Sequence, residues 1–145
     1  INGPDLMWKL CADAEAGDVP IGLHGSTDMT LDLLRRRLAE AFPRLKIVHC
    51  VSPPFRTLFD DEDRQMVDAI NDSGAGFLFV GLGCPKQEMW MAAHRGRIAS
   101  VMLGVGAAFD FHAGTVSRAP EWMRRSGLEW LHRLLSEPKR LGRRY

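Results

Sequence analysis

The sequence predicts an α/β domain with a mostly parallel sheet, helices on both faces of that sheet and a basic helical appendage at the C-terminus. Short apolar runs rich in β-branched residues alternate with longer amphipathic segments along most of the 145 residues, which is the pattern of a parallel sheet covered by helices. Glycine and proline occur at the joints between these segments, where the chain has to turn. The predicted fold is therefore Rossmann-like.

The first half of the chain is predicted to contain two helices and two strands. The amphipathic segments Asp5–Ala16 and Asp28–Ala41 predict helices. The apolar run Ile21–His24 predicts a buried strand that ends at Gly25, and Leu45–Cys50 predicts the next strand. This order begins the alternation that a parallel sheet requires.

The second half continues the alternation and then departs from it. Helices are predicted at Asp60–Asn71 and Pro85–Arg97, and strands at Phe77–Leu82 and Val101–Val105. Beyond Arg118 the chain is rich in Arg, Trp and Leu and is predicted to be helical throughout. We therefore expect a Rossmann-like part at residues 1–117, which is long enough for one core, and an appendage at residues 118–145.

The first candidate binding segment is the glycine-rich joint Gly81–Glu88, which follows an apolar strand and opens a helix. Doubly wound sheets bind ligands beyond the carboxyl ends of their strands. Glycine permits a tight turn, free N–H groups in a first helical turn favour an anion, and Lys and Gln can bind phosphate, sugar or base. An ordinary strand-to-helix turn would have the same residues. The candidate substrate-binding residues here are Gly81, Gly83, Pro85, Lys86, Gln87 and Glu88.

A second glycine-rich joint, Gly104–Gly114, follows the last predicted strand and adds Gly104 and Gly106 to the candidate binding residues. Asp110 and His112 lie two residues apart in it. If the segment is extended, their side chains share a face and suit hydrogen bonding to sugar hydroxyls or proton transfer. The other interpretation is that Asp110 caps a turn and His112 is a hydrogen-bonded polar residue.

Several common cofactor sites do not fit the sequence. The dinucleotide fingerprint GxGxxG fails because Lys86 occupies its third glycine position, and no GxxxxGK[ST] phosphate loop occurs. The acidic run Asp60–Asp63 opens a predicted helix, where carboxylates stabilise the first turn, so we interpret it as capping rather than metal binding. The five histidines lack HxxxH and HExxH spacing. We therefore predict no cofactor and no protein-built metal site.

Charge is distributed unevenly along the chain. Residues 1–117 hold 11 Lys and Arg against 15 Asp and Glu, whereas residues 118–145 hold 8 against 3. A basic tail suits an anionic partner such as phosphate or a membrane surface, although a solvated helix gives the same pattern. Leu128, Leu131 and Leu135 share one helical face, which fits a helix at a lipid headgroup layer or one packed on its own domain. No segment is apolar enough to span a membrane, and no nucleic-acid-binding pattern occurs.

Three long motifs resemble those of a known family. They are FLFVGLGCPKQEMW at residues 77–90, LGVGAAFDFHAGTVSRAPEWM at residues 103–123 and GLEWLHRLLSEPKRLGRRY at residues 127–145. The stretches GPDLM and IGLHGSTD fit more loosely and occur in the expected order. Together they resemble the WecG/TagA/CpsF family, glycosyltransferase family 26, over essentially the whole chain.

The resemblance implies an activity, partners and a location. Members of the family transfer an N-acetylhexosamine-type sugar, or its uronic acid, from a UDP-sugar to a polyprenyl-diphosphate-linked sugar, with inversion and without strict metal dependence. They act at the cytoplasmic face of the plasma membrane in building wall teichoic acid, enterobacterial common antigen or capsule. We therefore expect an enzyme whose partners are a UDP-sugar, a polyprenyl-diphosphate-linked acceptor and an anionic membrane surface, without nucleic acid. Formation of a homo-oligomer stays open.

The resemblance also assigns roles to particular residues. Gln87, within the PKQE motif, is implied to lie at the substrate pocket, and the Gly81–Glu88 turn is implied to help form that pocket. The basic appendage is implied to dock on the membrane and to close the site. The basic residues assigned to the membrane or the diphosphate are Arg118, Arg124, Arg125, Arg133, Lys139, Arg140, Arg143 and Arg144.

One feature of the family has no counterpart in these residues. Relatives begin with a further segment that contains an Asn- and Thr-bearing strand end and an aspartate thought to be the general base that inversion requires. We therefore expect little or no turnover from these 145 residues alone, with Asp110 as the fallback acid–base residue. The alternative function is a noncatalytic module of the same fold that binds a membrane or a partner.

Overall fold

The computed structural model describes residues 2–114 and residues 125, 127, 128, 131 and 135. Within this part of the chain, the strands are β1 (Ile21–Gly25), β2 (Ile47–Val51), β3 (Phe77–Gly81) and β4 (Val101–Gly104). They form one parallel sheet in the order β2-β1-β3-β4, in which Ile21 pairs with Ile47 on one side and with Phe77 on the other. The prediction of a Rossmann-like α/β arrangement is confirmed.

Helices alternate with these strands. They are α1 (Gly3–Ala16), α2 (Asp28–Ala41), α3 (Asp60–Ser73), α4 (Lys86–Ala93) and α5 (Ala108–Ala113). The helix α2 has the predicted bounds, with Thr27 as its N-cap. The helix α4 ends four residues before the predicted Arg97, because His94 caps it and the chain then turns through Gly96 with φ of +80°.

The extended conformation considered for the segment with Asp110 and His112 does not occur, because both residues lie on helix α5. The backbone turns so that Ala108, Phe109 and Ala113 are buried, and Gly114 ends the helix in the left-handed conformation with φ of +83°. The side chains of Asp110 and His112 therefore do not share one face of a strand.

The sheet separates two groups of helices. Successive side chains of a strand point to opposite faces, so Leu23 and Phe79 pack with α1, α2 and α5, whereas Leu78 and Val80 pack with α3 and α4. We call these the α1–α2–α5 side and the α3–α4 side. The chain runs from β1 to β2 in one direction and then crosses β1 to reach β3 and β4. Because crossover connections keep one hand, this reversal moves the connecting helices to the other face.

Most of the predicted appendage lies outside the described residues. Arg125, Leu131 and Leu135 are helical, and Leu135 is exposed. The remaining basic residues assigned to the appendage, Arg118, Arg124, Arg133, Lys139, Arg140, Arg143 and Arg144, lie outside the described residues. Among the helical segments that the structure describes, none combines the length and apolarity needed to cross a bilayer.

Candidate functional site

A cleft of about 270 Å³ lies beyond the carboxyl ends of β1 and β3. These strands are neighbours, but the helices that follow them, α2 and α4, lie on opposite faces of the sheet. Such a switch point is where doubly wound α/β sheets bind ligands. The cleft is therefore the candidate functional site.

Two glycines end neighbouring strands at the cleft, and one of them, Gly81, lines it. Gly25 has φ of +124°, and a Cβ atom there would lie 2.6 Å from the backbone carbonyl of Gly81. A Cβ atom on Gly81 would in turn lie 2.6 Å from the ring of Phe109. Both positions require glycine because the two strand ends and α5 approach closely here.

The turn after β1 supplies hydroxyl groups to the cleft. Ser26 has φ of +62°, an uncommon left-handed conformation for a residue other than glycine, and such residues concentrate at functional sites. Its carbonyl accepts a hydrogen bond from Ser52 Oγ at 2.6 Å, which ties this turn to the loop after β2. The Thr27 hydroxyl accepts from the Thr30 N–H at 3.2 Å and lies 3.1 Å from the Thr30 hydroxyl. Ser26, Thr27 and Thr30 line the cleft.

Asp110 on α5 also lines the cleft, next to Thr30. The Thr30 hydroxyl donates to Asp110 Oδ1 at 3.4 Å, so the carboxylate is linked to the start of α2. Asp110 is half-buried, as suits a carboxylate that both holds a position and meets a ligand. The Pro53–Phe55 segment, in the loop after β2, lines the cleft as well.

Helix α4 brings Lys86 to the cleft and turns Gln87 away from it. Lys86 is exposed and lines the cleft, whereas Gln87 is buried, with 5% of its surface exposed. Gln87 Oε1 accepts from the Gly106 N–H at 3.0 Å, and Nε2 donates to Glu88 Oε1 at 3.0 Å. Gln87 therefore joins the start of α4 to the glycine loop after β4.

The structure brings together some of the residues singled out from the sequence and not others. Those that line the cleft are Gly81, Gly83, Lys86, Gly106 and Asp110. Pro85 precedes α4, Glu88 is bonded to Gln87, and Gly104 packs against Gln87 and Met91, so these three support the cleft from outside its lining. Ser26, Thr27 and Thr30 were not predicted, although the polar run Ser26-Thr27-Asp28 directly after a buried strand was a visible signal.

A row of aromatic and polar groups lies on the α3–α4 side, in which His24, His49 and His94 are buried and Trp90 is half-buried. The ring of Trp90 is stacked between His24, at 4.8 Å, and His94, at 4.3 Å. His24 Nδ1 is 3.4 Å from His49 Nε2, and His94 Nε2 is 2.6 Å from Asp63 Oδ1. Burial, and then the charges of His49 and His94, lower the pKa of His24 to about 3. His24 adjoins Gly25, so this row supports the strand end beneath the cleft.

The acidic run that opens α3 is engaged in structural contacts. Glu62 accepts from the Phe59 N–H at 3.0 Å and binds the Arg56 guanidinium at 2.7 and 2.8 Å. Asp63 binds His94 and lies 2.8 Å from Arg97 Nη2. The predicted helix start with acids in its first turn is confirmed. Among the described residues, no group of three or more His, Cys, Asp or Glu is arranged to hold a metal ion.

Comparison with known proteins gives the chain a family. The model of the glycosyl transferase WecG/TagA/CpsF family matches residues 1–145. Relatives from Staphylococcus aureus strains MW2, NCTC 8325 / PS 47 and MRSA252, each described as N-acetylglucosaminyldiphosphoundecaprenol N-acetyl-beta-D-mannosaminyltransferase, are 32% identical over 144 residues. The alignment covers 99% of this chain and 55% of each relative, so the chain spans about half their length. The chain belongs to the WecG/TagA/CpsF glycosyl transferase family.

Proposed function

We propose that the full-length protein transfers an N-acetylhexosamine-type sugar from a UDP-sugar to a polyprenyl-diphosphate-linked acceptor, with inversion, in cell-surface polysaccharide synthesis. One observation carries the proposal: in a chain of this family, the switch-point cleft collects a lysine, a carboxylate and three hydroxyl residues. The relatives' names describe a mannosaminyltransferase whose acceptor is a diphosphoundecaprenol-linked sugar. Such a set of residues suits a ligand that combines phosphate with sugar hydroxyls.

The reaction requires one nucleophilic displacement. The acceptor hydroxyl attacks the anomeric carbon of the donor sugar, the bond from that carbon to UDP breaks, and UDP leaves with the bonding electrons. The hydroxyl proton passes to a carboxylate that acts as general base. We assign this base to the aspartate of the further segment that relatives contain, with Asp110 as the fallback within this chain.

The described residues have separate roles in this proposal. Lys86 stabilises the negative charge that develops on the leaving diphosphate. Asp110 and the Ser26–Thr30 hydroxyls bind sugar hydroxyls. Gln87 acts at one remove, because its bond to the Gly106 amide holds the β4–α5 loop against α4.

Transfer of radiolabelled sugar by the full-length protein tests the proposal. Lys86→Ala is expected to lower kcat/KM by about tenfold to a hundredfold, since it removes a charge at the leaving group. Gln87→Ala is expected to lower it as well, because Gly106 loses its partner. Gln65→Ala, at an exposed glutamine of α3, is the matched control for Gln87. Wild-type turnover in the Lys86 and Gln87 variants would refute these roles, and no transfer from any UDP-sugar would refute the activity.

We also propose that transfer needs no protein-bound metal ion. The support is that Glu62 and Asp63, the best acidic candidates, are already bonded to Arg56, His94 and Arg97. Turnover should persist in excess EDTA after dialysis. Loss of turnover that added magnesium or manganese restores would contradict this proposal.

Attachment to an anionic membrane at the inner face is the last part of the proposal, and residues 118–145 would provide it. The support is their excess of basic residues, 8 against 3 acidic residues. The full-length protein should sediment with anionic but not with neutral vesicles, and deletion of residues 118–145 should abolish this. Equal sedimentation before and after the deletion would exclude this role of the tail.

A further inference from the structure

Four large apolar side chains with high exposure lie on segments that contribute residues to the cleft or continue directly from them. Their exposed fractions are 72% for Met29, 78% for Phe55, 72% for Phe59 and 69% for Met89. We call these four residues the apolar collar. Among the other described residues, one large apolar side chain, Leu135 at 71%, is as exposed. Clustered apolar exposure of this kind marks a surface that binds something.

Three members of the apolar collar line the cleft or adjoin a residue that lines it, and Phe59 lies four residues after Phe55 in the loop before α3. Phe55 lines the cleft itself, and Met29 lies on α2 between Thr27 and Thr30, which also line it. Met89 follows Lys86 by three residues on α4, so the two side chains are neighbours on the helix surface. The collar is therefore continuous with the candidate site.

Phe59 is held in place although it is exposed. The Arg56 guanidinium lies over its ring, 5.3 Å from the ring centre, and is fixed there by its two bonds to Glu62. An exposed aromatic ring that is held in this way loses little further conformational entropy when it binds a ligand. This favours a role in binding for Phe59.

We propose that the apolar collar binds the isoprenoid chain of the acceptor at the point where this chain leaves the cleft. The inference rests on the proposed function, in which the acceptor consists of a sugar, a diphosphate and a polyprenyl chain. The sugar must reach the reacting centre in the cleft, and the diphosphate is short. The first isoprene units must then lie at the mouth, beside Lys86 and against the collar.

The charges around the collar favour an apolar chain over an anionic bilayer surface. An acidic residue directly adjoins three of the collar residues: Asp28 precedes Met29, Asp60 follows Phe59, and Glu88 precedes Met89. Of the basic residues nearby, Arg56 is paired with Glu62, and Lys86 lines the cleft. Carboxylates in these positions repel anionic headgroups, whereas they have little effect on an uncharged hydrocarbon.

The inference predicts that the collar discriminates between acceptors by chain length. In detergent solution, the full-length variant Met29→Ser/Phe59→Ser/Met89→Ser should have a Kd for the undecaprenyl-linked acceptor raised by about tenfold, since apolar contact area is lost. Its Kd for an otherwise identical acceptor with a short, water-soluble chain should stay at the wild-type value. Val101→Ser removes a 57% exposed apolar side chain at the amino-terminal end of β4 and serves as the control.

Three results would overturn the inference. One is a Kd that stays at the wild-type value for both acceptors, and another is an equal rise for both acceptors, which would assign the collar to packing against the rest of the protein. The third is a loss of sedimentation with vesicles that contain no acceptor, which would assign it to the bilayer. Binding is measured without turnover, so a protein that binds both acceptors but transfers no sugar would refute the proposed function while leaving this test intact.

Discussion

The two faces of the sheet are stabilised by different chemistry. On the α1–α2–α5 side the largest buried groups are hydrocarbon, among them Leu34, Phe79 and Phe109, each at most 1% exposed. On the α3–α4 side, the half-buried ring of Trp90 is stacked between the buried rings of His24 and His94. Apolar packing is strong but has no direction, whereas hydrogen bonds and ring stacking fix orientation.

This difference corresponds to a division of labour. The α1–α2–α5 side supplies most of the buried apolar volume and therefore most of the stability. The α3–α4 side holds α4 through Trp90 and His94, and α4 presents Lys86 to the cleft and Gln87 to the glycine loop. The α1–α2–α5 side therefore stabilises the domain, whereas the α3–α4 side orients α4 at the candidate site.

The largest expected effect is the loss of stability in Phe109→Ala. The ring of Phe109 is 1% exposed and fills the space over Gly81, so its removal leaves a cavity in the α1–α2–α5 side. The free energy of unfolding, measured by urea denaturation, should fall by about 3–5 kcal/mol. Phe59→Ala, at an exposed phenylalanine, should change it by about 0.5 kcal/mol or less. Equal losses of unfolding free energy in the two variants would show that the α1–α2–α5 side is not the main source of stability.

The next effect in size is a loss of stability in acid that comes from the α3–α4 side. The pKa of His24 is lowered from 6.5 to about 3 in the folded protein, and burial lowers that of His49 as well. Below pH 6.5 the unfolded chain therefore binds protons that the folded chain does not, so stability falls as pH decreases. For His24 alone, the loss between pH 7 and pH 5 is about 2 kcal/mol.

Replacement of the titrating group isolates this contribution. His24→Leu should flatten the dependence of unfolding free energy on pH between 7 and 5, because the side chain no longer takes up a proton on unfolding. Phe79→Leu, on the opposite face of the sheet, should lower stability without changing that dependence. The groups that face His24 from neighbouring elements, His49 and His94, stay in place in both variants. An unchanged slope in His24→Leu would show that another group controls acid unfolding.

Local sequence patterns were sufficient to predict most of the fold. All four strands were found because each is a short apolar run, and the bounds of α2 were predicted because capping and periodicity agree there. The strand β2 begins two residues later than predicted, at Ile47, because only one of its five residues is fully buried and the apolar run has no sharp start. Helix α5 was missed because six residues are too few to show a helical period between two glycine-rich turns.

The candidate site was predicted at the segments after β3 and β4, but not at the turn after β1. Gly81, Gly83 and Lys86 were identified because glycines followed by a helix start are a local signal. The contribution of Ser26–Thr30 depends on the adjacency of β1 and β3, which is set by strand order and not by neighbouring residues. Gln87 was assigned to the substrate pocket by resemblance, but its bonds to Gly106 and Glu88 depend on a burial that local sequence does not encode.

The smallest expected effect is that of Thr30→Val, which tests whether the α1–α2–α5 side also orients Asp110 in the cleft. The Thr30 hydroxyl on α2 donates a long hydrogen bond of 3.4 Å to Asp110 Oδ1 on α5. Thr30→Val keeps the shape of the side chain and removes this donor, so the free energy of unfolding should fall by only about 0.5–1 kcal/mol. If the bond positions Asp110 for sugar binding, KM for the donor should rise in the full-length protein while kcat changes little, and Thr30→Ser should restore KM. A loss of stability with no change in KM would confine orientation to the α3–α4 side and make the contrast between the two faces sharper.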